Sequence, residues 1–290
     1  MPINAQLLDN PKSDRVRRIA ELTRTKGRRK NGRFLIEGPQ SVREAVRYAS
    51  DIVTDIYVAG DEDGIDSDVL ADIAQRALDK SADLYVHTAT REVIDHISPD
   101  AQGVIAVGDT DKLRSGMKAE VEQASSYSRG MRVAAFWQVR DPGNAGTVIR
   151  AADAAGCDVV VFVDDCVDML NPKVIRSTTG SLFHIPVIAM GTNDFFDWMK
   201  EQRLDVWAAD VYGTRKRKPE RLPDVLDAMR GEEHRKDGYA VLFGNEARGL
   251  NGKTLEQCQR IVSIPMYGKA ESLNLATSAA IILMSLAFTR

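Results

Sequence analysis

Cysteine is scarce in this chain: Cys157, Cys166 and Cys258 are an odd number with no CxxC pair. That argues against a disulfide framework and a zinc knuckle, and it makes a reducing cytoplasm the expected address. No run approaches about 18 consecutive apolar residues, so no membrane-spanning helix is expected. The opening MPINAQLLDNPKSDRVRR has no apolar core of the kind a secretory signal needs. No GxGxxG follows a strand, which removes the usual dinucleotide-binding readings. His87, His96, His184 and His234 show no metal-ligand spacing, so they read as structural or surface residues and no metal site is expected. Trp137, Trp198 and Trp207 lie inside expected strands or helices and read as core.

What is present is an ordinary soluble composition, 43% hydrophobic and 28% charged over 290 residues, long enough for two domains. The net charge of −3 is unevenly spread. Residues 12–33 hold ten cations against Asp14 and Glu21, a local charge of +8. A second basic cluster comprises Arg215, Lys216, Arg217, Lys218 and Arg221. Local basic density sets phosphate affinity, because each neutralised phosphate releases counterions. Within the first cluster Arg28, Arg29, Lys30 and Arg33 are the candidate phosphate contacts. A solvated helix face, or a mobile loop for the second cluster, is the plain alternative.

Helix and strand alternate along the chain. Ser13 is placed to cap a helix carrying Val16, Ile19 and Leu22. Strands are predicted at 33–38, 55–60, 83–88 and 104–108, with helices after Pro39, near 68–79 and near 89–98. This defines a small α/β domain over 1–110, then a linker at 111–130, rich in Ser, Gly and charge, with partial helix as its alternative. The domain 131–290 has strands at 132–139, 158–165, 186–190, 205–211, 239–244 and 260–266. Helices at 145–155, 172–183, 193–203, 252–258 and 274–288 alternate with them. Continuously apolar strands alternating with helices indicate a parallel sheet covered on both faces. A charged insert at 214–237 interrupts the order.

Three loops, each following a strand, carry the chemistry, as ligand sites of open parallel sheets require. The first is Arg140-Asp141-Pro142-Gly143-Asn144-Ala145-Gly146, with Arg150 on the following helix. Asn144 is a candidate helix cap, and Arg150 sits among apolar neighbours that should be packed, so a polar partner is expected for it. The second is GNEARGL, Gly244 to Leu250, which places a carboxamide and a carboxylate, Glu246, between glycines. Its continuation Asn251-Gly252-Lys253-Thr254 imitates the end of a P-loop, but Ala247 stands where GxxxxGK[ST] needs glycine. The third runs from Ile264-Pro265-Met266-Tyr267-Gly268 to Glu271-Ser272-Leu273-Asn274, where Ser272 or Asn274 could cap the last helix.

NxGxxxR (Asn144 to Arg150), GNEARGL and IPMYGKAESLNLATSAA resemble the three signature motifs of the SpoU/TrmH branch of the SPOUT methyltransferases, over essentially all of residues 132–288. RRKNGRFLIEGPQSVREAV resembles the start of the RNA-substrate-binding domain that precedes this catalytic domain in ribosomal RNA methyltransferases. The resemblance implies an α/β fold whose C-terminal parallel-sheet domain carries a deep trefoil knot, preceded by a small α/β RNA-binding domain. It implies a homodimer packed through the knotted domains. It implies S-adenosylmethionine bound through backbone groups at Gly244, Ile264 and Leu273, with Asn144, Arg150, Glu246, Ser272 and Asn274 as polar catalytic-site residues. The implied reaction is methyl transfer to a ribose 2′-hydroxyl of structured RNA, with large-subunit ribosomal RNA favoured and transfer RNA second. A non-catalytic ribosome-associated RNA-binding factor and a base-nitrogen methyltransferase are the rival readings. On this reading residues 1–110 should be removable, leaving a folded catalytic domain.

Overall fold

The computed structural model describes residues 4–80, 84–128, 130–231, 238–245 and 248–289. The chain divides into two compact units, Met1–Gly116 with Asp168–His184, and Met117–Val167 with Ile185–Arg290.

In the first unit β1 (Asn4–Leu8), β2 (Arg33–Glu37), β3 (Val53–Ala59), β4 (Tyr85–Ala89) and β5 (Val104–Asp109) form a sheet in the order β1-β4-β3-β5-β2. β1, β4 and β3 run parallel, and β5 is antiparallel to both its neighbours. Ser13 caps α1 (Asp14–Ala20) by accepting from the Val16 amide at 3.3 Å. Pro39 opens α3 (Pro39–Tyr48), where its missing N–H costs nothing. α4 (Asp68–Lys80) and α5 (Arg91–Ile97) complete the set expected from sequence. Phe34, Leu35, Ile36, Ile56, Ile94 and Ile105 are fully buried at its core.

Two elements of this unit escape the hydrophobic pattern. β1 is short and lies at the sheet edge. α2 (Thr25–Asn31) is a basic helix that ends in left-handed Gly32 at φ 60°. Gly27 lets it pack tightly, since a Cβ there would sit 2.0 Å from the Glu21 carbonyl oxygen.

The stretch 111–130, expected as a linker, is mostly helix. α6 (Thr110–Ser125) runs from the first unit into the second, with Leu113, Met117 and Ala124 buried. Small and charged residues hid its helical spacing.

The second unit is a seven-stranded parallel sheet in the order β10-β12-β9-β11-β6-β7-β8. Its strands are β6 (Arg132–Trp137), β7 (Val159–Val163), β8 (Val187–Met190), β9 (Asp205–Ala209), β10 (Glu220–Arg221), β11 (Tyr239–Phe243) and β12 (Arg260–Ser263). β7 and β11 are buried throughout, as a sheet covered on both faces demands. α7 (Pro142–Ala154) packs against α12 (Leu275–Ala287), with α9 (Thr192–Glu201) and α11 (Gly252–Gln257) on other crossovers. The described part of the insert is ordered: β10 pairs with β12, and α10 (Leu222–Gly231) follows it.

The crossover between β7 and β8 leaves this unit. Residues 168–184, including α8 (Pro172–Ser177), belong to the first unit, where α8 packs on β2. Charged and polar contacts hold them, most with at least one half-buried or buried partner. Asp168 accepts from Arg28 at 2.5 Å, Arg176 pairs with buried Glu37 and with Asp100, and His184 meets Glu44 at 3.3 Å. Ser98 donates to Glu37 at 2.5 Å. Sequence order places residues 168–184 in the expected domain 131–290, because burial partners distant in sequence leave no local signature.

Candidate active site

All seven strands of the second unit run parallel, so the three motif loops emerge at one edge of the sheet. The first loop follows β6. Asp141, not Asn144, caps α7, its Oδ1 accepting from the Asn144 amide at 2.7 Å. Pro142 takes the first turn, so an Asp-Pro pair was the readable signal for this cap. The Asn144 Oδ1 accepts from Asn274 Nδ2 at 3.1 Å.

Asn274 in turn caps α12, its Oδ1 accepting from the Ala276 amide at 2.8 Å. One carboxamide therefore ends a helix and ties the third loop to the first. Ser272, the other candidate cap, is exposed, and Leu273 and Ile264 are half-buried. Ile264 lines a groove of about 310 Å³ with Pro265, Tyr267, Ile281, Leu222 and Leu226. Gly244 and Leu273 are not among the residues lining it.

In the second loop Asn245 Nδ2 donates to the Gln138 carbonyl at 2.7 Å, tying the loop after β11 to the loop after β6. Gln138 adopts φ 54°, a left-handed conformation that turns its carbonyl toward this bond. Asn245 is the carboxamide that the sequence marks in GNEARGL, whereas nothing in the sequence marks Gln138. Gly244 is demanded by the loop itself. A Cβ there would lie 2.5 Å from the Gly249 carbonyl carbon and 2.6 Å from the Leu250 amide, so any side chain distorts the loop before it meets a ligand. Glu246 lies outside the described residues. Asn251 caps α11 by accepting from the Thr254 amide at 3.0 Å, so Gly252-Lys253-Thr254 is a helix start.

Arg150 differs from expectation. Its neighbours Val148 and Ile149 are fully buried, but Arg150 is exposed and makes no hydrogen bond or ion pair among the described residues. The helix turns it to solvent at the site edge, so it needs no internal partner.

At the ends of β6 to β8, Asp164 accepts from Trp137 Nε1 at 2.9 Å and from the Thr192 amide and hydroxyl at 2.8 and 2.6 Å. Partial burial opposes ionisation there, but the Thr192 and Trp137 hydrogen bonds outweigh it and hold the carboxyl below its usual range. Burial pushes the Cys166 thiol up to about 11 and Cys258 up to about 12, so neither is a nucleophile at neutral pH. No group of three His, Cys, Asp or Glu placed to hold a metal occurs among the described residues.

The basic cluster of the first unit is less uniform than its sequence. Arg28 is 3% exposed and is spent on structure. It donates to the Leu22 and Thr23 carbonyls at 3.1 Å, to Thr25 Oγ1 at 3.1 Å and to Asp168. Burial therefore removes it from the candidate phosphate contacts. Arg33 is half-buried and donates to Thr54 Oγ1 at 2.5 Å. Arg15 reaches buried His87 at 2.7 Å and stands 5.3 Å from the Tyr57 ring centre. Arg29 and Lys30 are exposed, as are Lys12, Arg24 and Lys26, and no side chain among these five pairs with a described residue. In the second unit Arg217 is likewise structural, donating to the Cys258 carbonyl at 2.7 Å and to the Leu255 carbonyl at the end of α11.

A parallel α/β sheet with three motif loops tied together at its carboxyl edge, attached to a small mixed α/β unit, defines a class that known proteins share. The family model described as SpoU rRNA Methylase family matches residues 131–284, and the MRM3-like substrate binding domain matches residues 13–106. A Bacillus subtilis relative, 23S rRNA (guanosine(2553)-2′-O)-methyltransferase RlmP, is 32% identical over 279 residues, covering 96% of this chain and 98% of its own. A 23S rRNA (uridine(2479)-2′-O)-methyltransferase of Streptomyces viridochromogenes is 29% identical, covering 88% of this chain and 83% of its own. A solved RNA 2′-O ribose methyltransferase superposes with a TM-score of 0.72 at 26% identity, covering 98% of both chains. The chain belongs to the SpoU rRNA methylase family, and it is a methyltransferase.

Proposed function

We propose that this enzyme transfers the methyl group of S-adenosylmethionine to a ribose 2′-hydroxyl of large-subunit ribosomal RNA. The observation that carries the reading is the meeting of the three motif loops, Asn245 to Gln138 and Asn274 to Asn144, with exposed Arg150 on the helix that the first loop opens, unpaired among the described residues. The RNA 2′-O activity printed for the relatives supports it.

Gly244, Ile264 and Leu273 are assigned to the cofactor. Half-buried apolar Ile264 and Leu273, each in a loop at this edge, suit a thioether–sulfonium ligand. When bound, the cofactor supplies an already activated methyl group. The chain's own residues must hold the acceptor oxygen in line and help it lose its proton, and such positioning can contribute on the order of 7–11 kcal/mol at best. Arg150 is assigned to the acceptor side. A guanidinium stays protonated, so its role is electrostatic: it holds the substrate phosphate or the developing alkoxide. Asn144, which accepts from Asn274, is assigned to the catalytic site together with Asn274, Ser272 and Glu246.

Arg29 and Lys30, with the exposed cations around them, are assigned to RNA phosphates. A homodimer built through the second unit, a trefoil knot in that unit and a cytoplasmic location belong to the same reading. No described helix is long and apolar enough to cross a membrane.

The test is mapping of 2′-O-methylation in total RNA from cells with and without the gene. A 2′-O-methyl group blocks alkaline and nuclease cleavage of the adjacent phosphodiester. The expected result is one 23S nucleotide that is protected in cells with the gene and unprotected in cells without it. A lost signal in transfer RNA would reassign the substrate, and no lost signal at all would leave a non-catalytic RNA-binding factor.

A further inference from the structure

The loop after β9 is built around two side chains. Asp210 Oδ1 accepts from the Tyr212 amide at 2.9 Å and the Gly213 amide at 2.6 Å. Thr214 Oγ1 accepts from the Lys216 and Arg217 amides at 3.2 and 3.0 Å, and the Thr214 amide donates to the Arg217 carbonyl at 2.8 Å. Gly213 closes the turn at φ 70°, where a Cβ would come within 2.4 Å of the Arg217 carbonyl oxygen. Arg217 points inward and pins the turn to the end of α11.

The remaining side chains of the turn point outward with nothing to meet. Arg215, Lys216 and Lys218 are exposed and pair with no described residue, and Tyr212 is 77% exposed. Three neighbouring cations repel one another, and a bare aromatic ring is poorly solvated. A rigid turn that keeps both in place without a partner is organised for a ligand that is anionic and carries flat rings.

Its position is equally specific. β9 lies between β11 and β12 in the sheet, so the turn rises between the loop carrying Gly244 and the loop carrying Ile264. The Asp210 amide donates to the Val262 carbonyl at 3.1 Å, and Asp210 Oδ2 lies 3.5 Å from where a Gly249 Cβ would be.

We infer that residues 210–218 form an RNA-gripping turn of the catalytic unit, with Arg215, Lys216 and Lys218 on phosphates flanking the target nucleotide and Tyr212 stacked on a neighbouring base. The inference rests on the RNA methylation reading above. It differs from the exposed cations of α2 in standing beside the reaction, so it sets where the RNA lies as well as how tightly it is held.

The test uses the full-length protein and in vitro transcribed 23S rRNA. Neutralising the turn by Arg215→Gln, Lys216→Gln and Lys218→Gln together should lower the salt slope of RNA binding by about 2–3 units, at 0.7–0.9 for each phosphate contact. It should raise KM for RNA with kcat largely kept, as loss of uniform binding does. Tyr212→Ala should weaken RNA binding about tenfold, and Tyr212→Phe should restore it, because stacking needs the ring and not the hydroxyl. Calorimetric affinity for S-adenosylmethionine and the melting temperature should stay at wild-type values in all three. A triple variant with wild-type salt slope and KM overturns the inference while the methylation reading stands. Loss of cofactor binding in the triple variant also overturns it, since the turn would then be scaffold. A wild-type protein that neither binds nor methylates the transcript removes both.

Discussion

Arginines meet two fates in each unit, and the clearest examples of each lie in different units. In the first unit Arg28 is buried against Asp168, half-buried Arg176 pairs with buried Glu37, and Arg15 lies against His87 and Tyr57. In the second, Arg150 and Arg215 stand exposed and unpaired among the described residues, at one edge of a sheet. A run of basic residues therefore says little about which of them meets RNA. Arginines aimed at carboxylates and carbonyls are consumed by the fold. Those carried out by a helix or a tight turn are left for a ligand.

The sharpest way to break this comparison is to cut the units apart. Removing residues 1–110 strips the partners of Asp168 and Arg176 and uncovers Val174 and Ile175, both fully buried. The fragment should fail to give a soluble species with cooperative melting, contrary to the expectation from sequence. Replacing residues 168–184 by a short Gly/Ser linker in the same fragment should recover it, as read by size exclusion and circular dichroism. A well-folded simple deletion would show that the ion pairs are incidental.

Next in size is Arg28→Ala, which leaves Asp168 and two carbonyls without their donor and should cost about 3–5 kcal/mol in denaturant unfolding. Arg28→Lys should rescue little, because one ammonium cannot serve four acceptors, whereas Arg29→Ala should stay within about 0.5 kcal/mol. Equal effects at 28 and 29 would erase the distinction between spent and free cations. Arg150→Ala should do the reverse, with stability within about 0.5 kcal/mol and turnover down by about 100-fold or more, in single-turnover assays. Retained turnover would remove Arg150 from the reaction. The smallest effect separates the two duties of Asn274. Asn274→Ala should lose about 1 kcal/mol of stability with the cap. Asn274→Asp should keep the cap acceptor and the melting temperature, yet lose activity, because it cannot donate to Asn144.

Apart from β10 and α10 in the insert, the strands and helices of the second unit were readable because apolar runs such as VVVFV and Asn caps are local signals. The motif loops were readable as chemistry for the same reason. What joins them was not. The Asn245–Gln138 bond spans more than a hundred residues, and the left-handed Gln138 has no sequence mark. Arg28 and Arg29 are indistinguishable as letters, and only the packing of α2 buries one and exposes the other. The full extent of α6 was not legible, because Ser, Gly and charge diluted its apolar stripe and left only a partly helical linker to be expected.

The excursion of residues 168–184 also bears on how the protein is made. A ribosome delivers the chain from the N-terminus at roughly 5–20 residues per second. β2 cannot gain α8, and Arg28 cannot meet Asp168, until the chain has been extended through β6, α7 and β7. For several seconds the nascent first unit carries a buried-type arginine and the glutamate Glu37 with their counter-charges not yet synthesised. The N-terminal unit thus completes late, and its completion waits on synthesis of the first two of the seven strands of the catalytic sheet.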